Sequence, residues 1–267
     1  MPSLRHQLIR YLPASLRRAL RAWNSVRQVR RFTPDRWAES AVVRQLIRPG
    51  DVVVDAGANI GYISALLAQW VGSNGRVHSI EPIPETFRLL QRSMRKLGLT
   101  HVQCHGCGVS GASGEAMMEV PAYPDGAENF YESRVVTGGP VQPGLRRIPV
   151  KLCTLDEVVG ETLDRVTFMK IDVEGHEGPA LHGARQLLAR ARPALLIEIN
   201  GSLDQPDTAT ADLLALLGAL GYSVHVFGEK GLQPRASGQK AVDYFFLTAE
   251  HLSTRLAPLF PQEKTAQ

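Results

Sequence analysis

The octapeptide KIDVEGHE, residues 170–177, follows directly on the apolar run Val166, Thr167, Phe168, Met169. Carboxylates and an imidazole are costly to bury without partners, so their concentration at the end of an apolar strand points to a polar site at a sheet edge. A histidine or carboxylate placed there can relieve a hydroxyl of its proton as that hydroxyl attacks an electrophile. His176 or Asp172 is the candidate base, Glu174 the group that positions a hydroxyl, and Lys170 the cation that holds the carboxylates. Glu198 and Asn200, at the end of the next apolar run, are candidates for the same pocket. Glu174 and Glu177 have a simpler account as well, since both precede a helix that Pro179 would open and its dipole favours negative charge. That account leaves Asp172 and His176 unexplained. Two acids and a histidine could alternatively hold Mg²⁺ or another divalent ion, but no familiar ligand spacing is present and no metal is expected.

A second constellation is VVVDAGANIG, residues 52–61, which reads as a strand, a glycine turn and the start of a helix. This arrangement binds nucleotide-like ligands at the carboxyl ends of strands. Asp55 selects among them. It would repel the pyrophosphate of a dinucleotide and attract the ammonium and sulfonium of S-adenosyl-L-methionine. Gly57 and Gly61 allow close backbone approach, or else tight strand–helix packing, and Asn59 replaces the middle glycine of a GxGxG turn. Glu81 ends the second strand twenty residues beyond Gly61, where a carboxylate can accept both ribose hydroxyls. Val109 and Ser110, after a third strand, are candidate adenine neighbours.

Those residues need an alternating sheet to bring them together. From Val52 onward, short apolar runs alternate with helical periodicity, the pattern of an α/β fold. Strands are expected at 51–55, 76–81, 101–106, 165–172, 193–199, 222–227 and 243–248, seven in one sheet. Helices are expected between Ile60 and Val71, from Phe87 to Leu97, from about Pro179, and over 207–220, with Gly72, Gly98 and Gly221 as stops. Residues 111–156 interrupt the alternation with two strand-like stretches, EAMMEV and RRIPVKL, around a Pro- and Gly-rich loop. A loop of that length is a candidate for substrate recognition.

Taken together, VVVDAGANIGYIS, SIEPIPETFRLLQRSM, GVSGASGEAMMEV, VKLCTLDEVV, FMKIDVEGHEGPALHGARQLL and PALLIEI resemble the FkbM family of S-adenosylmethionine-dependent methyltransferases over about residues 51–200. The resemblance implies a class I, Rossmann-like fold with a mostly parallel seven-stranded sheet, and methyl transfer to a hydroxyl of a sugar, glycolipid, polyketide or similar product. It also implies that Asp55, Gly57, Asn59, Gly61 and Glu81 contact the cofactor while Asp172, Glu174 and His176 lie at the reaction centre. Relatives often carry a Ser- and Gly-rich stretch where this chain has ENFYESRVV, so the acceptor is not carried over.

The 267 residues are 44% hydrophobic and 21% charged, enough for one sizeable core. The expected organisation is an Arg-rich helical extension at 1–48, a catalytic domain at 49–257 and a frayed tail at 258–267. Eleven arginines face only Asp35 and Glu39 in the first 50 residues, whereas 19 basic residues meet 24 acidic ones afterwards. Leu4, Leu8, Leu12, Leu16, Leu20 and Trp23 form a helical stripe that Pro13 would break. Such a segment suits an anionic membrane surface or an acidic partner, or it simply caps the core with its arginines in water. Nucleic acid is the weaker alternative, because KIDVEGHE lacks an NPPY-like turn for a flipped base. Without a bilayer-spanning apolar run or a signal peptide, a cytoplasmic location is expected. The lone CxxC of Cys104 and Cys107 reads as structural. A nicotinamide-dependent oxidoreductase and a non-catalytic S-adenosylmethionine-binding scaffold in envelope polysaccharide assembly are the competing functions.

Overall fold

The computed structural model describes residues 13–121, 133–136 and 145–256. Strands numbered along the chain are β1 (Val52–Ala56), β2 (Arg76–Ile80), β3 (Val102–His105), β4 (Gly108–Val109), β5 (Gly114–Pro121), β6 (Arg134–Val136), β7 (Leu145–Cys153), β8 (Val166–Ile171), β9 (Ala194–Glu198), β10 (Ser223–Gly228), β11 (Gly231–Pro234) and β12 (Asp243–Leu247). Eight form the main sheet in the order β11-β10-β12-β9-β8-β1-β2-β3. The five strands from β3 to β9 in that order run parallel. β12 and β10 then each run antiparallel to their inner neighbour.

Burial on both faces explains why these strands are near-continuous apolar runs. In β1, Val52, Val54 and Ala56 pack into one core layer and Val53 into the other. In β9, Leu195 and Ile197 face the first layer while Ala194 and Leu196 face the second. The first layer is closed by Leu181, Leu187, Leu213 and Leu217 from the helices that follow β8 and β9. The second is closed by Leu66, Leu67, Leu90 and Met94 from the helices Tyr62–Val71 and Pro84–Lys96.

All seven expected strands are present, and among the described residues the count is corrected to eight. A turn at Glu229 and Lys230 folds β11 back onto the edge of β10, pairing Gly228 with Gly231. The expected helix from Pro179 is two short helices, Glu177–His182 and Arg185–Arg190. The break falls at Gly183, where a Cβ would lie 2.0 Å from the Ser110 carbonyl oxygen, so the backbone of another segment occupies that space. Asp156 caps the second piece by accepting the N–H groups of Gln186 and Leu187.

The interrupting segment forms its own sheet, β4-β7-β5-β6, in which β5 and β7 pair antiparallel over their whole lengths. Parts of its loop, 122–132 and 137–144, lie outside the described residues, as do the tail from 257 and the leucines at 4, 8 and 12. Cys107 is disulfide-bonded to Cys153, not paired with Cys104. That bond ties the start of β4 to the end of β7, a contact no local spacing reveals.

The N-terminal helix Ala14–Arg30 starts directly after Pro13. Its distal end joins the domain core through Val29, followed by Trp37 and by Val42, Val43 and Leu46 of the helix Ser40–Leu46.

Candidate active site

β1 and β8 lie side by side and parallel, so their carboxyl ends open onto the same edge. After β1 the chain turns through Gly57 (φ +85°), Asn59 (φ +50°) and Gly61 (φ +98°) into the helix Tyr62–Val71. The N–H groups of Gly57 and Ala58 both donate to the Ile80 carbonyl, at 3.0 and 2.9 Å. Glu81 closes the turn from the next strand. One of its oxygens accepts from the Asn59 N–H and the other from the Ile83 N–H, each at 3.0 Å. Burial raises the Glu81 pKa to about 7 against the lowering effect of those two bonds.

Packing by itself requires both glycines. A Cβ on Gly57 would sit 1.8 Å from the Asp172 carbonyl oxygen, and one on Gly61 would sit 2.4 Å from the Met94 methyl. Thus the turn after β1 and the turn after β8 touch through backbone at Gly57.

The second turn carries the charges. Lys170, buried, donates to Asp172 Oδ2 at 2.7 Å. Burial opposes its charge, but Asp172 and Asp55 outweigh that and raise its pKa. Glu174 (φ +53°) and Gly175 (φ +87°) are consecutive left-handed residues that swing the chain off the sheet. A left-handed non-glycine residue stores strain of about 1 kcal/mol or more, which the surrounding structure must hold. The Gly175 N–H donates to Glu177 Oε1, bracing the turn from within the helix that follows. His176 caps that helix with its ring 3.0 Å from Ser110 Oγ through Nε2, and burial lowers its pKa below the ordinary imidazole value.

Both turns line one cavity of about 360 Å³. Gly57, Asn59, Glu81 and Val109 form one side; Lys170, Asp172, Glu174, His176 and Glu198 form the other. One oxygen each from Asp172, Glu174 and Glu198 lie within 4.8 Å of one another. Burial, then Asp172 and Asp243, raise the Glu198 pKa to about 7.

Four expected residues sit elsewhere. Asp55 is fully buried behind the cavity wall, where its Oδ2 accepts from Ser64 Oγ at 2.5 Å and Ser79 supports Ser64 in turn. Gly61 underlies the turn against Met94 and Leu90, Ser110 sits against His176, and Asn200 lines a neighbouring depression with Glu174 and Gly175. Sequence reasoning missed Phe32, Tyr62 and Met118 as lining residues and Asp243 as a charge beside Glu198, whereas Ser133 and Val135, which line the cavity, belong to the loop expected to recognise substrate. Met118 and Val135 face each other across the β5–β6 pair, so the alternation in EAMMEV was the available signal. No local pattern marks Phe32.

Five parallel strands, an antiparallel β12 inserted between β9 and β10, a glycine turn after β1 and an acid after β2 define the class I methyltransferase fold. The family model for the methyltransferase FkbM domain matches residues 55–224. The chain belongs to this family, and the cofactor is S-adenosylmethionine. Among curated relatives, "Methyltransferase 1" of Beauveria bassiana is 29% identical over 49% of this chain and 57% of its own length. A protein-L-isoaspartate O-methyltransferase of Methanococcus aeolicus is 41% identical over 25% of this chain and 32% of its own length. The 31-O-demethyl-FK506 methyltransferase FkbM of Streptomyces tacrolimicus is 26% identical over 67% of this chain and 75% of its own. The chain therefore spans less than two thirds of the first two relatives. A solved methyltransferase FkbM from Methylobacillus flagellatus KT superposes with a TM-score of 0.45 at 19% identity, covering 88% of this chain and 60% of that one.

The residues present fit that cofactor. Asp55 Oδ1 is buried without a hydrogen-bond partner among the described residues and the positive charge acting on it is Lys170, so the fit is carried by Glu81 and the glycine turn that line the cavity. Each Glu81 oxygen, having accepted one N–H, retains a lone pair for a ribose hydroxyl.

Proposed function

We propose that the protein is a cytoplasmic O-methyltransferase acting on a hydroxyl of a saccharide, a glycolipid or a related natural product. The observation that carries this reading is the single cavity shared by Glu81 and the glycine turn on one side and by Asp172, Glu174, His176 and Glu198 on the other. S-adenosylmethionine, when bound, supplies an electrophilic methyl on a sulfonium. The carboxylates of Asp172, Glu174 and Glu198 accept hydrogen bonds from neighbouring hydroxyls, which favours a polyol and disfavours an anionic acceptor. His176, uncharged near neutral pH, shares a hydrogen bond with Ser110 Oγ through Nε2; in the tautomer that carries the proton on Nε2, the Nδ1 lone pair takes the acceptor's proton. Asp172 is committed through Oδ2 to Lys170 and orients the acceptor. Glu198 and, from the adjoining depression, Asn200 extend the acceptor side. Met118, Ser133 and Val135 cover the cavity from the second sheet, which helps to exclude water. Two of the relatives are named for transfer to oxygen, which supports the choice of acceptor atom.

The test is incubation with methyl-labelled S-adenosylmethionine and fractionated carbohydrate and lipid extracts. Label in a base-stable methyl ether of a saccharide or lipid-linked fraction is expected; label confined to base-labile esters or to nucleic acid would overturn the proposal. His176→Gln should lose turnover while keeping cofactor affinity. Unchanged turnover in that variant would remove the assigned base, and no turnover with any fraction would favour the scaffold alternative.

A further inference from the structure

The helix Ala14–Arg30 has two apolar faces, and the domain covers only one. Ser25 and Val29 turn inward and are buried, with Ala22 and Val26 half-buried beside them. Leu16, Leu20 and Trp23 point the other way and are 45%, 40% and 57% exposed. On a helix of 3.6 residues per turn, positions 16, 20, 23 and 27 fall in one stripe, and the Arg27 guanidinium lies 5.4 Å from the Trp23 ring centroid. No acid occurs in the helix, and Arg18, Arg21, Arg27 and Arg30 on it are exposed. In sequence, Leu4, Leu8, Leu12, Arg5 and Arg10 continue the same alternation of apolar and cationic residues.

We propose that this face docks the protein on an anionic bilayer surface. Leu16, Leu20 and Trp23 enter the boundary between headgroups and acyl chains, and the flanking guanidinium groups pair with lipid phosphates. Charge complementarity selects an anionic occupant, since eleven arginines outnumber two acids in the first 50 residues. The exposed leucines select lipid among anionic occupants: nucleic acid would engage the arginines but provides no apolar layer for Leu16 and Leu20. No described helix is long and apolar enough to cross a membrane, so the contact is peripheral.

The same segment reaches the cavity. Tyr62 donates its hydroxyl to Gln28 Oε1 at 2.9 Å, and the Phe32 and Tyr62 rings lie 5.0 Å apart. Phe32 and Tyr62 both line the cavity. A docked helix therefore holds the cavity close to the bilayer surface, whichever acceptor enters it.

Co-sedimentation of the full chain with vesicles tests the surface. Phosphatidylcholine vesicles containing phosphatidylglycerol should bind it roughly tenfold or more better than phosphatidylcholine alone, and added salt should weaken the binding. Leu20→Asp and Trp23→Asp should each reduce binding about tenfold or more while leaving S-adenosylmethionine affinity by calorimetry unchanged, which reports an intact fold. Arg27→Glu provides a charge reversal in the same stripe and should act in the same direction. Equal binding to both vesicle types, or full binding by these variants with their cofactor affinity intact, overturns the proposal. So does capture by polyglutamate or an oligonucleotide without vesicle binding.

Discussion

Two turns leave neighbouring parallel strands and are held in opposite ways. The turn after β1 is fixed by backbone: Gly57 and Ala58 donate to Ile80, Asn59 donates to Glu81, and Gly61 leaves room for Met94. The turn after β8 is fixed by charge: Lys170 clamps Asp172 and Glu177 reaches back to Gly175, whereas a left-handed non-glycine residue, Asn59 or Glu174, occurs in each turn alike. A backbone-satisfied turn gives the cofactor a rigid floor, whereas a charge-held turn keeps polar groups concentrated where a proton must move. Rigidity and reactivity are thus assigned to different strand ends that touch at one glycine.

The same substitution in both turns tests this contrast most severely. Gly57→Ala puts a Cβ 1.8 Å from Asp172 O at a φ of +85°, so both turns must shift. Loss of cofactor binding by calorimetry and a large fall in melting temperature are expected. Gly175→Ala meets nothing within 4 Å and bears only the left-handed penalty of about 1–2 kcal/mol. Equal damage from the two would break the comparison.

Next in size is His176→Gln, expected to lower turnover about 10²-fold or more with saturating cofactor. Because burial holds the imidazole below its ordinary pKa, the His176 contribution to turnover at saturating acceptor should be lost only as the pH drops through that lowered value, below the Glu198 titration at about 7. A pH–rate profile of the two proteins checks both statements, since the variant should lack that lower limb.

Asp172→Asn sharpens the charge-held side. It strips the buried Lys170 of its partner, costing about 2–3 kcal/mol in denaturant titration after discounting for the partial exposure of Asp172. A Lys170→Met, Asp172→Leu double variant should recover stability but not turnover.

The smallest effect belongs to the rigid side. Glu81, with a pKa raised to about 7, is increasingly protonated as pH falls below that value. Ribose hydroxyls donate to the ionised form, so S-adenosylmethionine affinity should rise with pH through about 7 and then level off. The loss below 7 approaches at most about tenfold per pH unit, and Glu81→Gln should abolish the slope in calorimetry.

Much of this was legible in the chain because the information was local. Apolar runs marked the seven main strands, and KIDVEGHE marked a reactive sheet edge. β11 escaped because its four residues, GLQP, alternate too briefly to register. Asp55 and Glu81 were found as strand-end acids, but only one opens on the cavity: Asp55 turns toward Ser64 on the helix behind it. Ser110 lies against His176, 66 positions away, a contact that no local spacing marks.

The sequence by itself determined the family, the β/α alternation, the carboxylates, the imidazole and the concentration of arginines at one end, since these follow from residue type and short-range spacing. Tertiary structure decided which of those groups share a cavity, why Gly57 has no side chain, that Cys107 joins Cys153, and which face of the first helix the domain leaves uncovered. Each is a contact between residues far apart in the chain, and only the folded packing of the strands and helices brings them within reach.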